Sequence, residues 1–221
     1  MIASNRKNML KLLKSNPYEF CEMDDEFRND WELAYSVVSF DGGAYHCIGE
    51  RLLDDKEIFL KAHETYTGNL RYSKLTGNRE ICIVSVRGRG STLQDCIESF
   101  RDDYEIVSLA VEQDGFALAH ASNRLKDNPT IVSISVNKSG RSFQFASNRL
   151  KRDKGFCLDQ VMSNPNCLEF FDLSLINDVE ILRAAFEKDK TSILSVSEKI
   201  DVTTLPKLPI LGSFLNNFKL D

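Results

Sequence analysis

The chain has 221 residues, 42% of them hydrophobic, and a formal net charge of −5, a balance that argues against nucleic acid or an anionic membrane as partners. It holds no run of about 18 apolar residues, which speaks against a membrane span. Arg6, Lys7, Lys11 and Lys14 interrupt the leucines near the N-terminus, so no export signal is expected.

Residues 121–126 read Ala-Ser-Asn-Arg-Leu-Lys, and residues 146–151 read the same, a spacing of 25. Carried in both directions, that spacing places a polar residue at Asn5, Asp30, Asp55, Asn78, Asp103, Asn128, Asp153 and Asp178, with only the unit from Asp55 shortened, to 23. A recurrence of this kind marks a stacked repeat array.

Taken in order, the units from Asn5 onward predict short helical hairpins. Each opens at its polar cap, turns at Asn16-Pro17, Asp41-Gly42, Gly68, Gly88 and Gly90, Asp114-Gly115, Ser139-Gly140 or Asn164-Pro165, and ends at the next cap. In the unit from Asp103, Ile106, Val107, Ala110 and Val111 form one apolar stripe, and Leu118, Ala121, Ser122 and Leu125 form a second. Other units keep these inward positions: Leu13, Val38, His63, Val86, Val111, Val136, Val161 and Phe186 form one ladder. Phe27, Leu52, Phe100, Leu125, Leu150, Leu175 and Ile200 form another, with the short unit leaving Leu70, Arg71 and Leu75 ambiguous. Asn29 with Glu32, Asp54 with Glu57, Asp102 with Glu105 and Asn177 with Glu180 have capping-box spacing, and Pro129 suits a first helical position. After Asp201, Thr203 to Lys207 read as a linker, and Ile210, Leu211, Phe214, Leu215 and Phe218 as an amphipathic helix that caps the last hairpin or docks elsewhere. The expected architecture is all-α: an α-solenoid of about eight 25-residue helical hairpins over 1–201, and a tail over 202–221 with one short helix.

The pattern Asp-x-Glu-Ile-Val, Ala-Val-x-x-Asp-Gly-x-x-Leu, Ala-Ser-x-x-Leu-Lys-x-Asp, from Asp103 to Asp127, resembles the helical repeat catalogued as domain of unknown function 4116, best over residues 103–153. The resemblance implies a helical-hairpin array of the kind found in amoeba-associated intracellular bacteria, protists and large viruses. It carries over no activity.

No catalytic constellation or metal-ligand spacing stands out. His46, His63 and His120 occupy three different repeat positions, and the side chains of His46 and Cys47 would diverge by about 100° on a helix, so no thiolate–imidazole pair is expected. Six scattered cysteines read as small reduced core residues, which suits a cytosol. Arg87 and Arg89 make the most basic inter-helix turn, akin only in composition to a phosphate loop. Arg51, Arg124, Arg149 and Lys199 share one repeat position, and Arg28, Arg101, Lys126 and Lys151 another; cations there suit helix C-termini and nearby carboxylates. Cys47, Tyr72, His120, Phe145 and Phe170 recur 17 residues after the cap, as contacts between repeats or as aromatic anchors.

The expectation is a non-enzymatic, cofactor-free, monomeric scaffold that binds a protein through Tyr72, Arg87, Arg89, His120, Arg124, Phe145, Arg149 and Phe170. Its context is the cytoplasm, or a host cytosol if it is an effector, or a regulator of one, from an intracellular bacterium. RNA or phosphate-ligand binding through the basic ladders is the alternative.

Overall fold

A computed structural model describes residues 2–201 and 209–218. Every regular element among them is helical, and none of the helices is long and apolar enough to cross a membrane. By contacts the chain divides into two compact units, through Leu109 and from Ala110.

The repeat has three parts. A ten-residue α-helix comes first, as in Trp31–Phe40, Arg79–Gly88, Pro129–Lys138 and Val179–Lys188. A six-residue 3-10 helix follows, as in Gly42–Cys47, Gly90–Asp95, Gly140–Phe145 and Pro165–Phe170. A single α turn closes it, as in Glu98–Arg101 and Asn123–Lys126. The array is helical as the period implies, but the second limb of each unit is split. Ala121 and Ala146 stand in extended conformation after the 3-10 helix, and Ser122 and Ser147 then cap a new turn by accepting from the N–H groups of Leu125 and Leu150, both at 3.2 Å.

Local chemistry marks the start of the 3-10 helix in several repeats. Asn16, Asp41, Asp114, Asn164 and Asp189 accept a hydrogen bond from the N–H two residues on, the geometry of an Asx turn that diverts the chain out of the α-helix. The first, third and fourth residues of the 3-10 helix are then buried, as in Gly115, Ala117 and Leu118 or Gly140, Ser142 and Phe143. First and fourth eclipse at three residues per turn, so both face inward. At Gly42 and Gly115 the first place has no room for a side chain, since a Cβ on Gly42 would lie 1.9 Å from the carbonyl oxygen of Ala62 and one on Gly115 2.5 Å from that of Ser135, whereas Pro165 fills this place in its own repeat.

The α-helices start at Asp30, Asp55, Asn78, Asn128, Asp153 and Asp178, whose side chains accept first-turn N–H bonds. Asn5 is different, because the first helix, Ile2–Ser15, already runs through it. The capping-box reading also shifts by one residue. Asn29 and Asn177 do not cap; their side-chain oxygens accept from the N–H groups of Arg51 at 3.0 Å and Asp201 at 2.6 Å, across to the following repeat.

Within each unit, the long α-helices pack against α-helices one repeat along, as Trp31–Phe40 does on Lys56–His63 and Lys154–Ser163 on Val179–Lys188, and the 3-10 helices pack on 3-10 helices. Three devices join neighbours. Within the first unit the ladder residues Leu13, Val38 and Val86 are fully buried and His63 half-buried, and within the second Val111, Val136 and Val161 are fully buried and Phe186 half-buried, each fully buried side chain contributing roughly 1.5–3 kcal/mol. Backbone bonds cross between repeats: Gly49 to Arg28 (2.7 Å), Lys74 to Leu53 (2.9 Å), Ser147 to Lys126 (2.9 Å) and Asp172 to Lys151 (3.0 Å). A cation at the first helical residue reaches the next repeat's cap, as Arg79 does to Asp103 and Glu105 and Lys154 to Asp178 and Glu180, and Arg6, inside the first helix, reaches Asp30 and Glu32 in the same way. Trp31 substitutes an indole N–H, bonded to Asp55 at 2.9 Å.

In the shortened unit, Leu70 and Leu75 are buried and Arg71 exposed, which assigns the inward stripe to the leucines. The tail helix spans Pro209–Phe218; Leu211 and Leu215 are buried, and Phe214 meets Phe186 edge-on at 5.3 Å. The expected linker from Thr203 to Lys207 lies outside the described residues.

Candidate interaction surface

In a 3-10 helix whose first, third and fourth residues face inward, the second and fifth face out. In the first unit those outward places carry Tyr18, Cys21 and His46, and Tyr72 ends the shortened 3-10 helix Asn69–Tyr72. The imidazole of His46 is exposed and stands between two phenol rings, with centroids 5.9 Å away at Tyr18 and 5.6 Å at Tyr72. Tyr18 and Tyr72 are each 45% exposed, and Tyr66 42%. Burial, followed by the charge and hydrogen bond of Asp41 and by Tyr66, pushes the Tyr18 hydroxyl above its ordinary range, so Tyr18, Asp41 and Tyr66 are neighbours.

Beside this patch lies a cleft of about 230 Å³, bordered by Tyr66, Arg71, Arg89, Gln94 and Asp95. Arg71 stands 3.8 Å from Asp95. Arg89 sits in extended conformation between the helix Arg79–Gly88 and the 3-10 helix Gly90–Asp95. Arg87 and Arg89 are exposed, and their side chains make no hydrogen bond or ion pair among the described residues. The turn follows a helix and precedes a 3-10 helix, so only its composition matches a phosphate-binding loop. Thus Tyr72, Arg87 and Arg89 all lie in the first unit, where Arg89 and Tyr66 share the cleft and Tyr72 adjoins Arg71.

The remaining sequence candidates lie in the second unit. His120, Phe145 and Phe170 end their 3-10 helices and are half-buried. Phe145 meets Phe116 of the preceding 3-10 helix edge-on at 6.0 Å, a contact between repeats. Arg124 and Arg149 are exposed on the closing α turns. Arg149 grips Asp127 through both carboxylate oxygens at 3.0 Å and its main-chain carbonyl at 2.9 Å. Hydrogen bonds from Ser147 and then Arg149 hold the Asp127 carboxyl below its usual range. Other members of the basic ladders are engaged as well: Arg28 with Asp25, Lys151 with the Gln144 carbonyl at 2.6 Å, and Lys199 with the Glu169 carbonyl at 3.2 Å.

The cysteines require a correction. Cys82, Cys96, Cys157 and Cys167 are free and buried as expected, and burial pushes the Cys157 thiol up to about 12. Cys21 and Cys47, however, are joined by a disulfide, their Cα atoms 4.4 Å apart, so the inference from reduced cysteines to a cytosol loses its support at these two. The divergence expected of His46 and Cys47 also fails. The His46 Nε2 atom lies 3.6 Å from Cys47 Sγ and 3.7 Å from Cys21 Sγ. Both side chains converge on a third group supplied by the preceding 3-10 helix, so the angle between neighbouring Cα–Cβ bonds does not set their separation. A search for ligands spaced along one helix overlooks this cluster. The available signal was that Cys21 and His46 stand 25 residues apart, one full period.

These features define a tandem helical-repeat protein with aromatic and basic side chains on its outer 3-10 surface. Residues 78–126 and 128–176 match, as two tandem segments, the family model described as Domain of unknown function (DUF4116). Each segment begins at or beside a helix cap and contains two of the 25-residue repeats; together they span somewhat under half of the chain. No curated protein and no solved structure matches the chain.

Proposed function

We propose that this chain is a non-enzymatic helical-repeat scaffold that binds a segment of another protein on the 3-10 surface of its first unit. The observation that carries this reading is a cleft shared by exposed Tyr66 and Arg89, in the unit that also exposes Tyr18, Tyr72 and Arg87, with Arg87 and Arg89 lacking an intramolecular partner among the described residues. Tyrosine and arginine dominate protein interfaces, because they bring large contact area and directional donors. The chemistry fits an acidic segment with apolar anchors. His120, Arg124, Phe145, Arg149 and Phe170 give the second unit a lesser surface, since Phe145 and Arg149 already serve contacts between repeats. The family resemblance adds a context, an effector or effector regulator acting in a eukaryotic cytosol.

The test is capture of partners from a eukaryotic lysate on immobilised full chain, with and without nuclease, alongside Tyr72→Ala and the pair Arg87→Glu and Arg89→Glu. A protein retained through nuclease and lost on these variants is the expected result, an interface tyrosine being worth about 2 kcal/mol or more. Capture that disappears with nuclease would favour nucleic acid. Capture indifferent to all three substitutions would dismiss this surface.

A further inference from the structure

The Cys21–His46–Cys47 cluster supports a chemistry separate from partner binding. We propose that, once its bridge is reduced, the cluster binds one zinc-class ion through Cys21 Sγ, Cys47 Sγ and His46 Nε2. The three ligating atoms lie within 4.8 Å of one another. In a tetrahedral site with Zn–S of about 2.3 Å and Zn–N of about 2.0–2.1 Å, nitrogen and sulfur ligands stand roughly 3.5 Å apart. The observed nitrogen–sulfur separations are 3.6 and 3.7 Å. Only the two sulfurs need to part, to roughly 3.7 Å, for all three edges to fit an ion.

A second observation concerns the imidazole. Its Nδ1 lies 2.8 Å from the carbonyl oxygen of Gly43, an acceptor only, so Nδ1 carries the hydrogen and donates it. The lone pair is therefore on Nε2, which faces the sulfurs. A backbone carbonyl fixing the far nitrogen is the usual support of a metal-bound histidine, setting both tautomer and ring orientation. The rings of Tyr18 and Tyr72 flank the imidazole. Cys47 is buried, Cys21 half-buried and His46 exposed, so the fourth position opens toward solvent, as in zinc sites with three protein ligands.

The disulfide and the ion use the same sulfurs and exclude each other. A dithiol that reduces the bridge supplies two electrons and two protons and leaves as its cyclic disulfide; the S–S bond breaks and two thiols form. Binding then releases both thiol protons as the thiolates coordinate the ion. The site is thus loaded only in a reduced chain, and the ion takes over the cross-link between the first two repeats.

The experiment uses the full chain, reduced with a phosphine, freed of metal under inert gas and titrated with Co²⁺. The expected result is thiolate-to-cobalt charge-transfer absorption saturating at one ion per chain and bleached by Zn²⁺. The same chain oxidised with diamide should show none. Cys21→Ser and His46→Ala should each lose the absorption while their circular dichroism and melting in the reduced, metal-free state match the parent. Cys157→Ala should keep it, separating this cluster from the buried thiols. A reduced chain without the charge-transfer band would overturn the proposal, as would a band that survives in the Cys21→Ser, Cys47→Ser double variant.

Discussion

The glycine at the start of the 3-10 helix gives the most direct test of how repeats are stacked. A Cβ on Gly115 would lie 2.5 Å from the main-chain oxygen of Ser135 and 3.2 Å from both the Cβ and the backbone nitrogen of Ser139. The obstacle is the C-terminal turn of the next repeat's helix, which cannot rotate aside as a side chain would. The backbones must separate by most of an ångström, and overpacking of this kind costs about 1–3 kcal/mol. For Gly42→Ala, where the gap to the Ala62 oxygen is 1.9 Å, the upper end is expected. Gly155→Ala is the control. Gly155 lies in the helix Lys154–Ser163, its φ is not positive, and the nearest heavy atom to an added Cβ is Asp153 Oδ1 at 3.6 Å. There alanine should stabilise by about 0.5–1 kcal/mol through helix propensity and a less disordered unfolded chain. Urea unfolding followed by circular dichroism reads both, with the slope on denaturant unchanged. Gly115→Ala within about 0.5 kcal/mol of the parent, the scatter of ordinary surface substitutions, would refute the idea that close backbone approach selects glycine here.

Four further outcomes follow from the same structure. Phe143, fully buried and 5.2 Å from the Phe171 ring, should cost about 3–5 kcal/mol on truncation to alanine, and half-buried Phe145 clearly less, by the same urea assay. A thiol reagent should label no cysteine in the native, unreduced chain, reach Cys21 after reduction, and reach Cys82, Cys96, Cys157 and Cys167 only on unfolding; reduction itself should lower stability by about 3–4 kcal/mol, given the 26-residue separation it releases. Burial lowers the pKa of His63, and its Nδ1 is buried without a partner, so the unfolded chain gains the proton first and stability should fall as pH drops below about 6.5; His63→Leu should flatten that slope. Hydrogen bonds from Arg152 and then Ser174 hold Asp172 at about 2, so its contribution is present above about pH 4 and lost as pH falls through about 2. Arg152→Ala should move the Asp172 titration, followed by carbon NMR, back toward 3.8.

The period was legible because it rests on chemistry that leaves little choice. A helix of ten residues needs an acceptor for its free N–H groups, and Asp or Asn at Asp30, Asp55, Asn78, Asn128, Asp153 and Asp178 supplies it. The inward ladders were legible because burial tolerates few substitutions. The divided second limb was not, since Leu118, Ala121 and Leu125 fall at spacings that also suit one continuous α-helix. The deciding residue was Ser122, inside the repeated hexapeptide. Read as part of an apolar stripe it continues the helix; read as a cap, as its bond to the Leu125 N–H shows, it starts a new one. The same division bears on function. A continuous second helix would carry its outward residues around a broad face, whereas a 3-10 helix with three residues per turn stacks its second and fifth residues in line. That stacking sets Tyr18 and Cys21 in line on one 3-10 helix, and the repeat then places His46 between Tyr18 and Tyr72 and brings Cys21 against Cys47, one residue beyond a full period. The cluster therefore arises from pitch together with period, and a motif search confined to a single helix contains neither.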